Sequence, residues 1–440
     1  MAQPALNKPQ GDRLYGLPLA RRRSATMGLV PPAAVAPTAL TLTKGSGATA
    51  AAVASGGTGY VVGDLITLTG GTTSYPTILR VAAISSGAVT SVSTIVNGIY
   101  TVNPTNPVAQ GSSTGAGAGA TFTMTYGAGS LSSIGNRVQL NATNAAYRFT
   151  GNGPTAGANT VGNGTACTWE WCSDAPTIEI RLAGSNTLGM LFIDGVRAND
   201  SGFTTDASGA AYLYVVDFGG VRKPRTFKIM NVNSNFGGVN IGTADTIWYP
   251  NQPRRPLAWG IGDSYMYGNG ADNISRVAFN TMCELLGLEP LPDGIGGQGW
   301  ASTGSNYAAT RVTAKLATLT FQPDYVFIDL GYNDSVAPTA GSLVQSAFAD
   351  CVAAIRAAAP KAKIIAFGPA TPVGNTTNLT GIKAALITAC TTAGVTFIDV
   401  QDWVSATNKG IYTSGDNVHP TQAGHDYIGG RKAQAVAAYL

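Results

Sequence analysis

A three-layer α/β domain on a parallel sheet, preceded by two β-rich modules, is the fold class this chain predicts. Three observations predict it. From residue 256 onward, short apolar runs alternate with helix-length segments, the pattern of strands wrapped by helices. Upstream, short strand-like runs recur between turn signals at intervals of about 8–12 residues, as in sandwiches. Charged residues are only 11% and glycine reaches 56 of 440, a balance that suits β-rich folds with tight turns.

Taken in order, residues 1–40 read as an extended arm. Lys8, Arg13, Arg21, Arg22 and Arg23 against Asp12 account for the whole net charge of +4. The remainder is neutral, which argues against a broad nucleic-acid-binding face. Pro31, Pro32 and Pro37 interrupt the apolar patches after the arginines, so no ordinary secretory signal is expected there. No apolar run approaches the roughly 18 residues of a membrane helix, and no membrane partner is expected. A subunit docked on a larger assembly would use such an arm.

Residues 41–127 read as a Gly/Thr/Ser-rich β module. Gly63-Asp64-Leu65-Ile66-Thr67-Leu68-Thr69 alternates as a half-buried strand does, and strands are expected at 77–83 and 88–96. Gly111 to Gly119 reads as a flexible run. The stretch resembles small β modules of bacteriophage tail and fibre proteins. Residues 128–250 follow as a β-sandwich accessory domain, with strands at 137–140, 168–171, 177–182, 189–193, 211–217 and 225–231. Asp194-Gly195 is a hairpin turn. The sandwich is expected either to brace its neighbour or to bind glycan.

In residues 251–440, strands are expected at 256–261, 324–330, 362–368 and 395–400, and helices at 272–287, 339–358, 379–393 and 423–439. Chemistry belongs at the carboxyl ends of such strands. Three motifs fall there. Gly262-Asp263-Ser264 follows the first strand and presents a hydroxyl at a strand-to-helix turn. Gly331-Tyr332-Asn333-Asp334 follows the second and offers a side-chain amide to an oxyanion. Asp416-Asn417-Val418-His419 supplies an imidazole, with a carboxylate to hold its tautomer. The chain has two histidines. His425 has no carboxylate three residues before it and reads as a structural or surface residue.

The three motifs resemble those of the SGNH (GDSL-type) hydrolase superfamily, over roughly residues 255–440. The resemblance implies a flavodoxin-like α/β/α fold and a serine esterase. It makes Ser264 the nucleophile, His419 the base and Asp416 the acid. The oxyanion hole would be formed by Ser264, Asn333 and a glycine from Gly294-Ile295-Gly296-Gly297-Gln298-Gly299-Trp300, placed on Gly299 with Gly297 as the alternative. Tyr265 stands where many members carry Leu. Tyr265, Trp300 and Tyr332 flank the motifs and are candidate substrate contacts. A jelly-roll domain ahead of such a hydrolase resembles certain carbohydrate esterases.

Cofactors and metals are not expected, because two histidines without a Cys or carboxylate cluster at ligand spacing do not build a zinc site. Five cysteines without framework spacing read as free, mostly buried thiols. The expected partners are an acylated glycan or other ester as substrate, and phage tail or baseplate proteins through the arm. Resemblance to phage fibres implies a homotrimer carried on the virion. A bacterial esterase would instead be extracellular.

Overall fold

The computed structural model describes residues 36–151, 166–184, 188–232, 235–319, 321–337, 339–370 and 377–440. Residues 1–35 of the expected arm lie outside that set. The alternation in Ala39–Gly45 produces an edge strand that pairs antiparallel with Ala211–Asp217, from Ala39 against Asp217 to Gly45 against Ala211. This corrects two expected boundaries. The last residues of the arm and the first of the β module belong to the sandwich, and the partner strand lies too far along the chain for local pattern to reveal it.

The β module is therefore an insertion. It leaves the sandwich after Gly45 and returns through Gly127, which faces Gly47 across an antiparallel pair. Six of its strands form one sheet, in the order 47–58, 118–127, 108–113, 65–68, 78–85 and 88–96. Its core is Tyr60, Ile66, Leu68, Leu79, Val81 and Phe122. The run expected to be flexible, Gly111 to Gly119, turns from the Val108–Ser113 strand into the Ala118–Gly127 strand.

The sandwich packs a five-stranded sheet (39–45, 211–217, 177–183, 235–242, 137–140) against a seven-stranded one centred on 166–173, 225–232 and 188–193. Alternate residues of both sheets, including Trp169, Trp171, Ile180, Tyr214, Phe227 and Phe236, fill the space between them. Glu179 is fully buried and accepts from Ser132 Oγ, Ile134 N–H and Asn240 Nδ2, each at 2.9 Å. These partners satisfy a charge that would otherwise be costly to bury. They also fix the segment that joins module to sandwich.

The hydrolase domain has a five-stranded parallel sheet in the order 289–294, 257–262, 325–329, 363–367 and 396–398. Helices Ala278–Leu285, Ala308–Leu316, Gly341–Ala358, Thr377–Ala393 and Gln422–Val436 accompany it. The Glu289–Gly294 strand was not expected from its sequence, which contains Pro290 and Pro292. It lies at the sheet edge, where a residue without an N–H is tolerated.

One face of the sandwich braces this domain. Lys228 Nζ lies 2.5 and 2.6 Å from the two Glu289 carboxylate oxygens, in a buried pair. Arg197 donates to Ser275 Oγ at 2.8 Å and pairs with Glu284. Met190, Phe192 and Met230 of the sandwich pack on Ile274 and Val277.

A truncation separates arm from strand. Deleting residues 1–35 should leave soluble, active protein with an unchanged melting temperature. Deleting 1–45 removes the edge strand, exposes its partly buried Leu40 and Leu42 contacts, and should lower the melting temperature by several degrees in a thermal scan. Equal stability of the two would sink the reassignment of 39–45.

Candidate active site

The Leu257–Gly262 strand is buried along its length and ends at Gly262. Asp263 then caps a short helix, Ser264–Tyr267, by accepting the Tyr265 N–H at 2.9 Å. The sharp turn leaves Ser264 Oγ at the end of the sheet. His419 Nε2 lies 2.9 Å from that Oγ, and His419 Nδ1 lies 2.6 Å from Asp416 Oδ2. The structure thus brings together the three residues expected as nucleophile, base and acid.

Asp416 does more than face the imidazole. Its Oδ1 accepts Ser414 Oγ at 2.5 Å and the N–H groups of Val418 and His419 at 2.8 and 2.9 Å. The Ser414 hydroxyl foremost, then these N–H groups and the imidazole, hold the carboxylate well below its ordinary range. Its side chain is 48% exposed, so solvent screens this effect. The carboxylate stays ionised through the neutral range and holds the imidazole proton on Nδ1, leaving Nε2 to face Ser264.

Asn333 follows the end of the next strand, and an oxyanion would have to draw its amide from two present acceptors. Nδ2 donates to Gln298 O at 2.8 Å and approaches Asp263 Oδ2 at 3.3 Å. Burial pushes Asp263 up to about 8, against the pull of the Tyr265 N–H. Replacing Asn333 by Ala should lower kcat by about 10²–10³ with little change in KM, because the donor matters most once negative charge develops. Steady-state kinetics on an aryl ester checks this, and a change confined to KM would move Asn333 to ground-state binding.

Two expectations fail here. The Gly299 N–H donates to Ser302 Oγ at 3.0 Å and is not available to an oxyanion. Gly299 is a glycine because the Asp334 carboxylate packs against it, within 2.7 Å of where a Cβ would stand. Gly297, the alternative, has a left-handed φ of 75° and open space around its Cα. Among the described residues nothing accepts its N–H.

Trp300 is not a substrate contact. It is 1% exposed, and its ring packs on Phe348 with 5.4 Å between centroids. Its main-chain N–H and that of Ala301 donate to Asp334 at 2.8 and 2.9 Å, which turns the chain inward at this point.

Tyr265 and Tyr332 do stand beside the relay. Their rings meet edge to face, 5.6 Å apart, and Tyr265 lies 5.9 Å from the His419 ring. Both line a cavity of about 40 Å³ with Trp403, Tyr412 and Pro420.

His425 is fully buried, which removes the surface reading and leaves the structural one. Its Nδ1 accepts the Ala278 N–H at 3.2 Å, so the proton sits on Nε2, which donates to Asn269 O at 2.9 Å. The Asn269 side chain in turn reaches His419 Nε2 at 3.4 Å. Sequence reasoning assigned no role to Asp263, Asn269, Asp334 or Ser414. The two aspartates stood inside quoted motifs; capping chemistry was the signal for Asp263, whereas the contacts of Asp334 lie far along the chain and left none. Among the described residues, no group of three His, Cys, Asp or Glu side chains is placed to hold a metal ion.

Comparison with known proteins bears on this geometry. Residues 261–427 match the model of the GDSL-like Lipase/Acylhydrolase family. No curated protein matches the sequence. Among solved structures, a salicylyl-acyltransferase, SsfX3, from a tetracycline biosynthetic pathway is similar with TM-score 0.56 and 13% identity, covering 69% of this chain and 98% of that one. A family two carbohydrate esterase from Cellvibrio japonicus gives 0.55 and 12%, covering 69% and 97%. A family two carbohydrate esterase from Clostridium thermocellum, in complex with cellohexaose, gives 0.53 and 16%, covering 67% and 99%. A 69% share does not fit within residues 251–440, so the likeness of fold extends into the β region before them. Motif, geometry and family model agree: residues 261–427 form a GDSL-like lipase/acylhydrolase domain of the SGNH type, and it makes this chain an ester hydrolase.

Proposed function

We propose that this chain is a serine esterase that removes O-acetyl groups from a bacterial surface polysaccharide, as a tail fibre or tailspike protein of a phage. The observation that carries the chemistry is the Ser264–His419–Asp416 relay, with 2.9 Å from Ser264 Oγ to His419 Nε2 and 2.6 Å from His419 Nδ1 to Asp416 Oδ2. In this reading His419 takes the Ser264 proton as Oγ attacks the ester carbonyl. The oxyanion receives the N–H groups of Ser264 and Gly297 and the Asn333 amide. His419 then gives its proton to the leaving alcohol, and water repeats the cycle on the acyl-enzyme.

The glycan half of the proposal draws support from the carbohydrate esterases among the fold neighbours, whose likeness covers more of this chain than the hydrolase domain alone. A jelly-roll character for the sandwich belongs to the same reading. Support for the virion setting comes from the basic, proline-broken arm, now bounded at about residue 38, and from the inserted Gly/Thr-rich module. We place tail or baseplate proteins at the arm and a homotrimer in the β region. An extracellular bacterial carbohydrate esterase is the second reading, favoured by the carbohydrate-esterase names of the same neighbours.

The deciding experiment supplies purified protein with acetylated bacterial polysaccharides and with aryl esters of short and long acyl chains. Acetate release from a polysaccharide, with short aryl esters preferred, is the expected result. Turnover of long-chain esters alone would replace the glycan reading with a lipase-type one. Light scattering tests the trimer, and a strict monomer at high concentration counts against the fibre setting.

A further inference from the structure

We propose that the Tyr265 hydroxyl is a positioning group for the base: it ties the loop that carries Asp416 and His419 to the turn that carries Ser264. The proposal rests on the reading of Ser264 and His419 given above.

The loop is weakly held. Residues 414–420 lie between the short Lys409–Tyr412 helix and the Gln422–Val436 helix. Most of the loop's hydrogen bonds close it on itself. Asp416 Oδ1 gathers Ser414, Val418 and His419, Ser414 N–H donates to His419 O at 2.8 Å, and Thr413 bridges to Pro420. Such bonds give the loop a shape without giving it a place. Asn417 holds a left-handed φ of 57°, which a non-glycine residue adopts at a cost.

Its place is set from outside. Tyr265 Oη donates to Val418 O at 2.6 Å. Among the described residues it is the one donor from outside the loop that reaches the main chain between Ser414 and His419. The other end of the same residue is fixed, because its N–H is held by Asp263 Oδ1 and its ring is buttressed by Tyr332. Nucleophile and base therefore sit at the two ends of one rigid side chain. Burial raises the phenol well above its ordinary value, so it remains a donor throughout the working pH range. A misplacement of about 1 Å at a reacting pair is enough to cost about a hundredfold in rate. A leucine at this position could fill part of the space of the ring but could not make this bond.

Tyr265→Phe tests the idea in the full chain, because it keeps the ring and deletes the donor. Kinetics on an aryl acetate should show kcat lower by about three- to tenfold, the scale of one neutral hydrogen bond, with KM unchanged. Amide hydrogen exchange across residues 414–419 should quicken about fivefold. Tyr332→Phe, which removes a hydroxyl that does not bond the loop, should leave that exchange unchanged. Unchanged exchange in Tyr265→Phe overturns the proposal. So does a loss confined to KM, which would make the phenol a substrate contact. Exchange needs no turnover, so it decides the brace even if Ser264→Ala were to retain activity and the relay reading failed.

Discussion

Ser264→Ala lowers kcat by on the order of a millionfold and leaves the melting temperature unchanged, the scale seen when a nucleophile is removed from a comparable relay. The size follows from the geometry. Without Oγ, His419 Nε2 has no proton to take, and among the described residues no other hydroxyl is hydrogen-bonded to it. What survives is the oxyanion hole, so some catalysis over water remains. The fold should not notice. Ser264 is 5% exposed and small, its Oγ bonds the imidazole alone, and the cap of the short helix comes from Asp263. Turnover of an aryl ester and a thermal scan on the same preparation check both halves. Retention of more than a tenth of wild-type turnover would remove Ser264 from the role.

His419→Ala should cost nearly as much, and the contrast with His425 gives it meaning. Both histidines lie near Asn269, yet only His419 meets Ser264 and a carboxylate. His425→Gln should keep most activity, because an amide can still accept the Ala278 N–H and donate to Asn269 O. What it should change is acid stability. Burial lowers His425 to about 4 from an ordinary 6.5. Between those values the unfolded chain binds a proton that the folded chain refuses. Stability attached to this residue is therefore complete above about pH 6.5 and drains away as pH falls toward 4, by on the order of 3 kcal/mol. Melting temperatures at pH 7 and pH 4.5 should fall less in His425→Gln than in the wild type. Identical slopes would show that His425 is not the group responsible.

The hydrolase domain was legible because its signals are local. An apolar run of five or six residues, then glycine, then a polar residue at the strand end gives both the element and the chemistry, and so Ser264 and Asn333 could be placed; His419 was placed by its Asp-x-x-His spacing, although its loop lies between two helices and not at the strand end expected for it. Choosing among glycines was not possible in the same way. Gly-Ile-Gly-Gly-Gln-Gly presents four glycine N–H groups within six residues, and only the direction of each peptide separates them. Asp334 sets that direction by gathering the Trp300 and Ala301 N–H groups. This contact spans 34 residues and has no periodicity to betray it. Trp300 was misread for the same reason, since an aromatic beside a motif looks like a pocket wall until the chain is seen to turn inward.

Strands that broke propensity rules were also hidden. Glu289–Gly294 has two prolines, and Asn235–Gly242 has three glycines with a register shift opposite Arg181 and Leu182. Tertiary pairing overrides propensity in both.

The place where the β module joins the sandwich has a further consequence. Gly47 and Gly127 are cross-strand partners, so the two ends of the insertion lie within about 5.5 Å of one another. A chain that leaves and returns through so narrow a gate can lose or exchange everything between without rethreading its host. The seat is small: Ile99 of the module meets Leu131, Leu213 and Val215, and Arg137 Nη1 reaches Ile95 O at 3.2 Å. The insertion is thus a unit with its own core, mounted on the sandwich by these side chains and by main-chain pairing of Gly98 with Ser132 and of Tyr100 with Ser46. Its exchange would alter one end of the molecule and leave the chain path of the catalytic end as it is.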